Sequence, residues 1–66
     1  MLASPEFKRG VVARIIKARS DGVSAGKIAK ACNGLSIHII YDALSATMFP
    51  KEIWEMLDEA LKSVGY

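Results

Sequence analysis

Few side chains in this 66-residue chain are equipped for chemistry, and their spacing limits what that chemistry is. His38 and Asp42 stand four residues apart, so on a helix they share a face and offer a metal ion two ligands. A zinc site takes three or four protein ligands, and no third stands near them. Cys32 is the single thiol, at helical spacing from Ile28 and Ala29, and reads as a small core residue rather than a nucleophile. Glu55 and Glu59 lie one turn apart in an acidic stretch, where they read as solvated side chains and not as an acid/base pair. No Gly-rich phosphate loop is present. The reading is of a protein that is not an enzyme, with no metal, no cofactor and no evident small-molecule ligand.

The elements that carry these residues are two short helices and a turn, from Ser24 to Ser45. Ser24 is placed to cap the first, whose apolar Ala25, Ile28, Ala29 and Cys32 recur at the spacing of one helix face. That helix is expected over 24–32. Asn33 and Gly34 stop it, since both tolerate the left-handed conformation that ends many helices. Ser36 then caps a second helix, expected over 36–46, with Ile40 and Leu44 on its inner face. Helix, Gly turn and helix make the helix-turn-helix plan, in which the second helix can enter a DNA groove.

The remaining chain supplies two longer helices. Ser4-Pro5-Glu6 is a helix start, with Ser as cap, Pro at the first helical position and an acid in the first turn. The first helix should run to about Arg19, with Phe7, Val11, Val12, Ile15, Ile16 and Ala18 on one half and Arg9, Gly10, Ala13, Arg14 and Lys17 on the other. Gly10 inside it costs up to about 1 kcal/mol relative to Ala, which points to close packing or a frayed first turn. Residues 1–6 are read as a flexible or cloning-derived lead. Met48 and Phe49 are expected to tuck onto the core. A last helix should start at Pro50, burying Ile53, Trp54, Met56, Leu57, Ala60, Leu61 and Val64 and exposing Lys51, Glu52, Glu55, Asp58, Glu59 and Lys62, with Gly65 closing it. The fold class is all-α: one domain, a compact four- to five-helix bundle containing a helix-turn-helix.

Composition agrees with a small folded domain. A hydrophobic share of 52% with 24% charged residues is too apolar for a disordered chain. No run approaches the roughly 18 apolar residues of a membrane span, so no membrane association is expected. One cysteine excludes an internal disulfide and fits a reducing compartment, and no signal peptide is evident, so a cytoplasmic location is expected. The net charge of +2 is unevenly spread. Residues 1–33 hold seven Lys and Arg against two acids, and residues 34–66 hold two against five. The basic half suits a polyanion.

The motifs in this order resemble the lambda-repressor-like (Cro and repressor head-piece) helix-turn-helix domains. Gly22-Val23-Ser24 matches the family's Gly, apolar, Ser/Thr entry to helix 2, and Ile28-Ala29 matches its Leu-Ala pair. Gly34-Leu35-Ser36 matches the opening of helix 3, Ile40 the buried aliphatic six residues past the turn Gly, and Pro50 and Ala60-Leu61 the later landmarks. The chain departs from the pattern by an extra residue at or near Asn33 and another near Ser20-Asp21. Ile37, His38, Tyr41 and Asp42 stand where the family usually places Gln, Ser, Arg or Asn.

The resemblance implies sequence-specific binding of double-stranded DNA by a small phage or bacterial transcription regulator, commonly as a homodimer on two half-sites. Residues 36–46 would then lie in the major groove, with Ile37, His38, Tyr41, Asp42 and Ser45 facing the bases. Ile37 can contact a thymine methyl, and His38, Tyr41 and Ser45 can hydrogen-bond to base edges or phosphate. Phosphate contacts are expected from Lys27, Lys30, the amides near Ser24 and Ala25, and one or more of Arg9, Arg14 and Lys17. Val64 and Tyr66 are the candidate dimer surface. A second reading makes residues 36–46 a protein-docking surface instead, since they carry Ile37 and Tyr41 but no Lys or Arg.

Overall fold

Cap chemistry sets the element boundaries in the computed structural model, which describes residues 3–45 and 48–66. Ser4 sits extended ahead of the first helix and its Oγ accepts the Phe7 N–H at 3.2 Å, while Pro5 takes the first helical position. This helix, α1, spans Pro5–Ser20. It closes when the Val23 N–H reaches back to the Ala18 carbonyl at 2.9 Å. Ser24 repeats the capping device, its Oγ accepting the Lys27 N–H at 3.1 Å at the head of α2, Ala25–Lys30. Ser36 holds the cap position of α3, Ile37–Leu44, although its side chain makes no cap bond. The fourth helix, α4, spans Lys51–Ser63.

Three boundaries differ from expectation. The second helix stops at Lys30 rather than Cys32, because the Ala31 and Cys32 amides bond three residues back, to Ile28 and Ala29, and tighten the last turn. Pro50 occupies the cap position of α4, with extended ψ, and Lys51 is its first helical residue. The third helix ends at Leu44 with Ser45 as its C-cap; Ala46 and Thr47 lie outside the described residues.

Among the described residues the fold is four helices and no strand. The radius of gyration, 10.4 Å, is close to the roughly 11 Å of a folded chain of this length. Helix α2 packs on α3 and α4, and α1 on α4 and α3. Val11, Ile15, Ile28, Ile40, Trp54, Leu57 and Leu61 are buried at the centre, with Ala18, Ala25, Ala29, Ala43 and Ala60 between the helices. Each large aliphatic there contributes about 1.5–3 kcal/mol of burial. Ala3 also joins the core, so the lead before Phe7 takes part in the packing. No described helix is long and apolar enough to cross a membrane.

Ile16 and Met48 leave the core that they were expected to join, and Cys32 packs at its edge. Ile16 is 56% exposed, because the line Val11, Ile15 and Ala18 faces inward and Ile16 sits a further 100° around the helix. Met48 is 69% exposed, whereas its neighbour Phe49 packs on Trp54 with ring centroids 5.4 Å apart. Cys32 is half-buried beyond the shortened α2, its thiol 3.6 Å from the Asn33 carbonyl. A Cβ on Gly10 would meet no atom within 4 Å, so close packing does not explain that glycine.

Candidate nucleic-acid interface

Helix α3 has an inside and an outside. Ile40 and Ala43 are buried and Ile39 and Leu44 are half-buried, which leaves positions 37, 38, 41, 42 and 45 outward. Ile37 is 40% exposed and Tyr41 45%, and His38, Asp42 and Ser45 are exposed beside them. All five residues assigned to the bases therefore share one continuous stripe. Burial of Ile37 and Tyr41 would have removed that stripe, and neither is buried. The Ser45 hydroxyl lies 3.2 Å from the Tyr41 carbonyl and donates to it, so its free capacity is that of an acceptor.

A cation reaches this stripe from another helix. The Arg19 guanidinium, in the last turn of α1, lies 5.4 Å from the centroid of the Tyr41 ring. Sequence reasoning passed over Arg19 in favour of Arg9, Arg14 and Lys17. Its signal was indirect: an apolar helix with no basic residue, and a cation at the end of the helix before it.

Lys27 and Lys30 are exposed on α2, and no carboxylate pairs with either among the described residues. Ser24 is exposed but its Oγ is taken by the Lys27 amide. Ala25 has its methyl in the core, so all it can offer an anion is its main-chain N–H. Arg9 is exposed. Lys17 is exposed and sits 3.4 Å from Asp21, a contact that solvent weakens.

Arg14 is differently placed from the other predicted phosphate ligands. Its Nε donates to the Tyr66 main-chain oxygen at 2.7 Å, and its Nη atoms donate to the Asp58 carboxylate and, at 3.4 Å, to the Asp58 carbonyl. It is a strut between α1 and the end of α4, not a free cation. Asp58 is accordingly half-buried rather than on the solvated face of α4. The Arg14 bond, with Lys62 3.2 Å away adding to it, holds the Asp58 carboxyl below the usual carboxylate range against the opposing effect of burial.

Tyr66 is folded back on the chain in the same cluster. A turn through Gly65 brings its N–H to the Leu61 carbonyl at 2.7 Å, and its hydroxyl donates to Asp21 at 2.5 Å. That bond lowers the Asp21 pKa and raises that of Tyr66. Val64 is half-buried against the core beside it. The polar groups of the expected dimer surface are thus engaged within the chain.

No family model, curated protein or solved structure matches this chain. The geometry stands alone. It brings the α3 stripe together with Arg19 and leaves Lys27 and Lys30 free on α2, while Arg14 is withdrawn. Among the described residues no three His, Cys, Asp or Glu side chains gather closely enough to hold a metal ion.

Proposed function

We propose that this chain binds double-stranded DNA sequence-specifically, as a small transcription regulator of the lambda-repressor-like helix-turn-helix type, with α3 in the major groove. The observation that carries the reading is the exposure of Ile37 and Tyr41 in one stripe with His38, Asp42 and Ser45, on the helix that follows the turn, where a helix-turn-helix carries its groove-reading residues. Ile37 reads a thymine methyl, and His38 and Tyr41 hydrogen-bond to base edges. Asp42 sits toward the groove rim, where a carboxylate is repelled by phosphate unless it accepts from a cytosine amino group. Lys27, Lys30, Arg9, Lys17 and the amides by Ser24 and Ala25 supply sequence-independent affinity, with Arg19 in the place first given to Arg14. In a homodimer on paired half-sites the Tyr66 hydroxyl can only accept, since its proton is given to Asp21, and its main-chain oxygen already accepts from Arg14.

The same stripe supports a second reading, a protein-docking face, because α3 itself carries no Lys or Arg and exposes an aromatic and an aliphatic side chain. Titrating a labelled random duplex at low salt separates the two. Binding that weakens as salt rises supports the DNA reading; no binding at low salt supports the docking face and removes the first.

A further inference from the structure

A groove of about 460 Å³ runs along the side of α1, away from the Arg14 strut. Val12 and Ile16 form one wall, Leu44 from the end of α3 the other, and Trp54 of α4 also lines it. Among the described residues Lys8 and Arg9 are its charged lining, and no carboxylate lines it. Lys8, Val12 and Ile16 recur every four residues, so the wall is a ridge of α1, and the lining of α1 from Pro5 to Ile16 is about 16 Å long. The Arg19–Tyr41 contact lies one turn beyond Ile16. An apolar side chain left 56% exposed beside a half-buried valine and a buried tryptophan is costly surface for so small a domain.

We propose that this groove docks an amphipathic helix of another protein, one with apolar residues at i, i+3 or i+4 and i+7 and with Asp or Glu set against Lys8 and Arg9. Charge selects the occupant: both charged lining residues are cations. Shape agrees, because a straight helical ridge about three turns long offers a docking helix a matching groove. The acidic helix of a second copy does not fit this groove. That helix, α4, turns Trp54, Leu57 and Leu61 into the copy's own core. The copy's exposed apolar residue here, Ile16, lies on the cationic ridge itself, and two such ridges repel. The groove is separate from the outward stripe of α3 and shares only Arg9 with the proposed phosphate contacts, and peptide docking is measured without DNA, so the proposal does not depend on the DNA reading.

The test uses a labelled synthetic helix of about 14 residues, four turns long, with Leu at the docking positions and Glu at one end, and a copy with Lys for each Glu. Trp54, the single tryptophan, reports occupancy by its emission while the label reports anisotropy. The acidic peptide should bind saturably and shift Trp54 emission, and the basic copy should not. Ile16→Glu should weaken binding at least about tenfold, as loss of a central apolar anchor does, and Arg9→Glu should weaken the acidic peptide while admitting the basic one. Ile16 is exposed, so its variants keep the fold, and unchanged melting of Ile16→Ala and Ile16→Glu checks this. Absence of binding by either peptide, or equal binding of both, overturns the proposal. Concentration-dependent self-association lost in Ile16→Glu assigns the groove to a second copy and overturns it equally.

Discussion

The guanidinium of Arg19 on α1 stands over the ring of Tyr41 on α3, 5.4 Å from its centroid. The contact gives α3 the positive charge its own sequence lacks, and at an exposed site it is worth about 0.5–1 kcal/mol. Arg19→Ala should therefore lower the melting temperature by about 2–8 °C and weaken binding to every duplex alike. Tyr41→Ala should instead cut the preference for the selected site over random DNA by about 1–3 kcal/mol, the value of one good base contact. Asp42→Asn should strengthen non-specific binding by removing a charge near phosphate. Competition titrations at one fixed salt concentration measure all three.

Arg14, Asp58 and Tyr66 tie the middle of α1 to the end of the chain, and the tie depends on pH. The Arg14 guanidinium beside Asp58 lowers its folded pKa below that of the unfolded chain, about 3.9. Stability from this carboxylate is therefore fully present above the unfolded value and is lost as pH falls through the folded one. Asp58→Asn should cost about 1–3 kcal/mol at neutral pH, the range for a hydrogen bond to a charged group in a partly buried site. The gap between variant and parent should begin to close as pH falls below about 4 and vanish below the folded value. Thermal melts of both proteins across the acid range check the sign.

Two glycines should respond to alanine in opposite directions. Gly10 lies within α1 with open space around it, so Gly10→Ala should stabilise by about 0.5–1 kcal/mol. Gly34 has φ +93°, and a Cβ there would come within 3.0 Å of the Met56 Cε. Gly34→Ala should destabilise by about 1–2 kcal/mol, because a left-handed backbone strains any L side chain. Chemical denaturation of the pair measures the difference directly.

Ile40 fills the centre of the core between α2, α3 and the longer helices. Ile40→Ala should cost about 2–5 kcal/mol, a large share of the stability of a domain this small. Melting within a degree or two of the parent would refute its central place.

Periodicity made the middle of each helix legible. Ile15, Ile28, Ile40, Trp54, Leu57 and Leu61 were readable as one core because each lies well inside an apolar face, and all six are buried. Residues at the margin of a face were not. Ile16 is as apolar as its neighbour Ile15, and what decides its exposure is which helix packs where; Met48 lies outside the helices, where periodicity says nothing of burial. The outer stripe of α3 followed from its inner residue Ile40 and needed no contact information. The role of Arg14 did need it: its partners are 44 and 52 residues away, and among seven cations in the basic half nothing local distinguishes a strut from a free phosphate ligand. Arg19 escaped notice for the same reason, since its partner Tyr41 lies on another helix.

The central claim, that α3 and the cations around it form a DNA-reading surface, is tested most directly by the salt dependence of duplex binding in the parent and in Lys27→Ala. Lys27 is exposed on α2. Random duplex should bind at micromolar concentration at low salt, log affinity should fall linearly with log salt, and the slope should be shallower by about one unit in Lys27→Ala with sequence preference unchanged. Absence of binding at low salt, or a slope unaltered by the substitution, would contradict it.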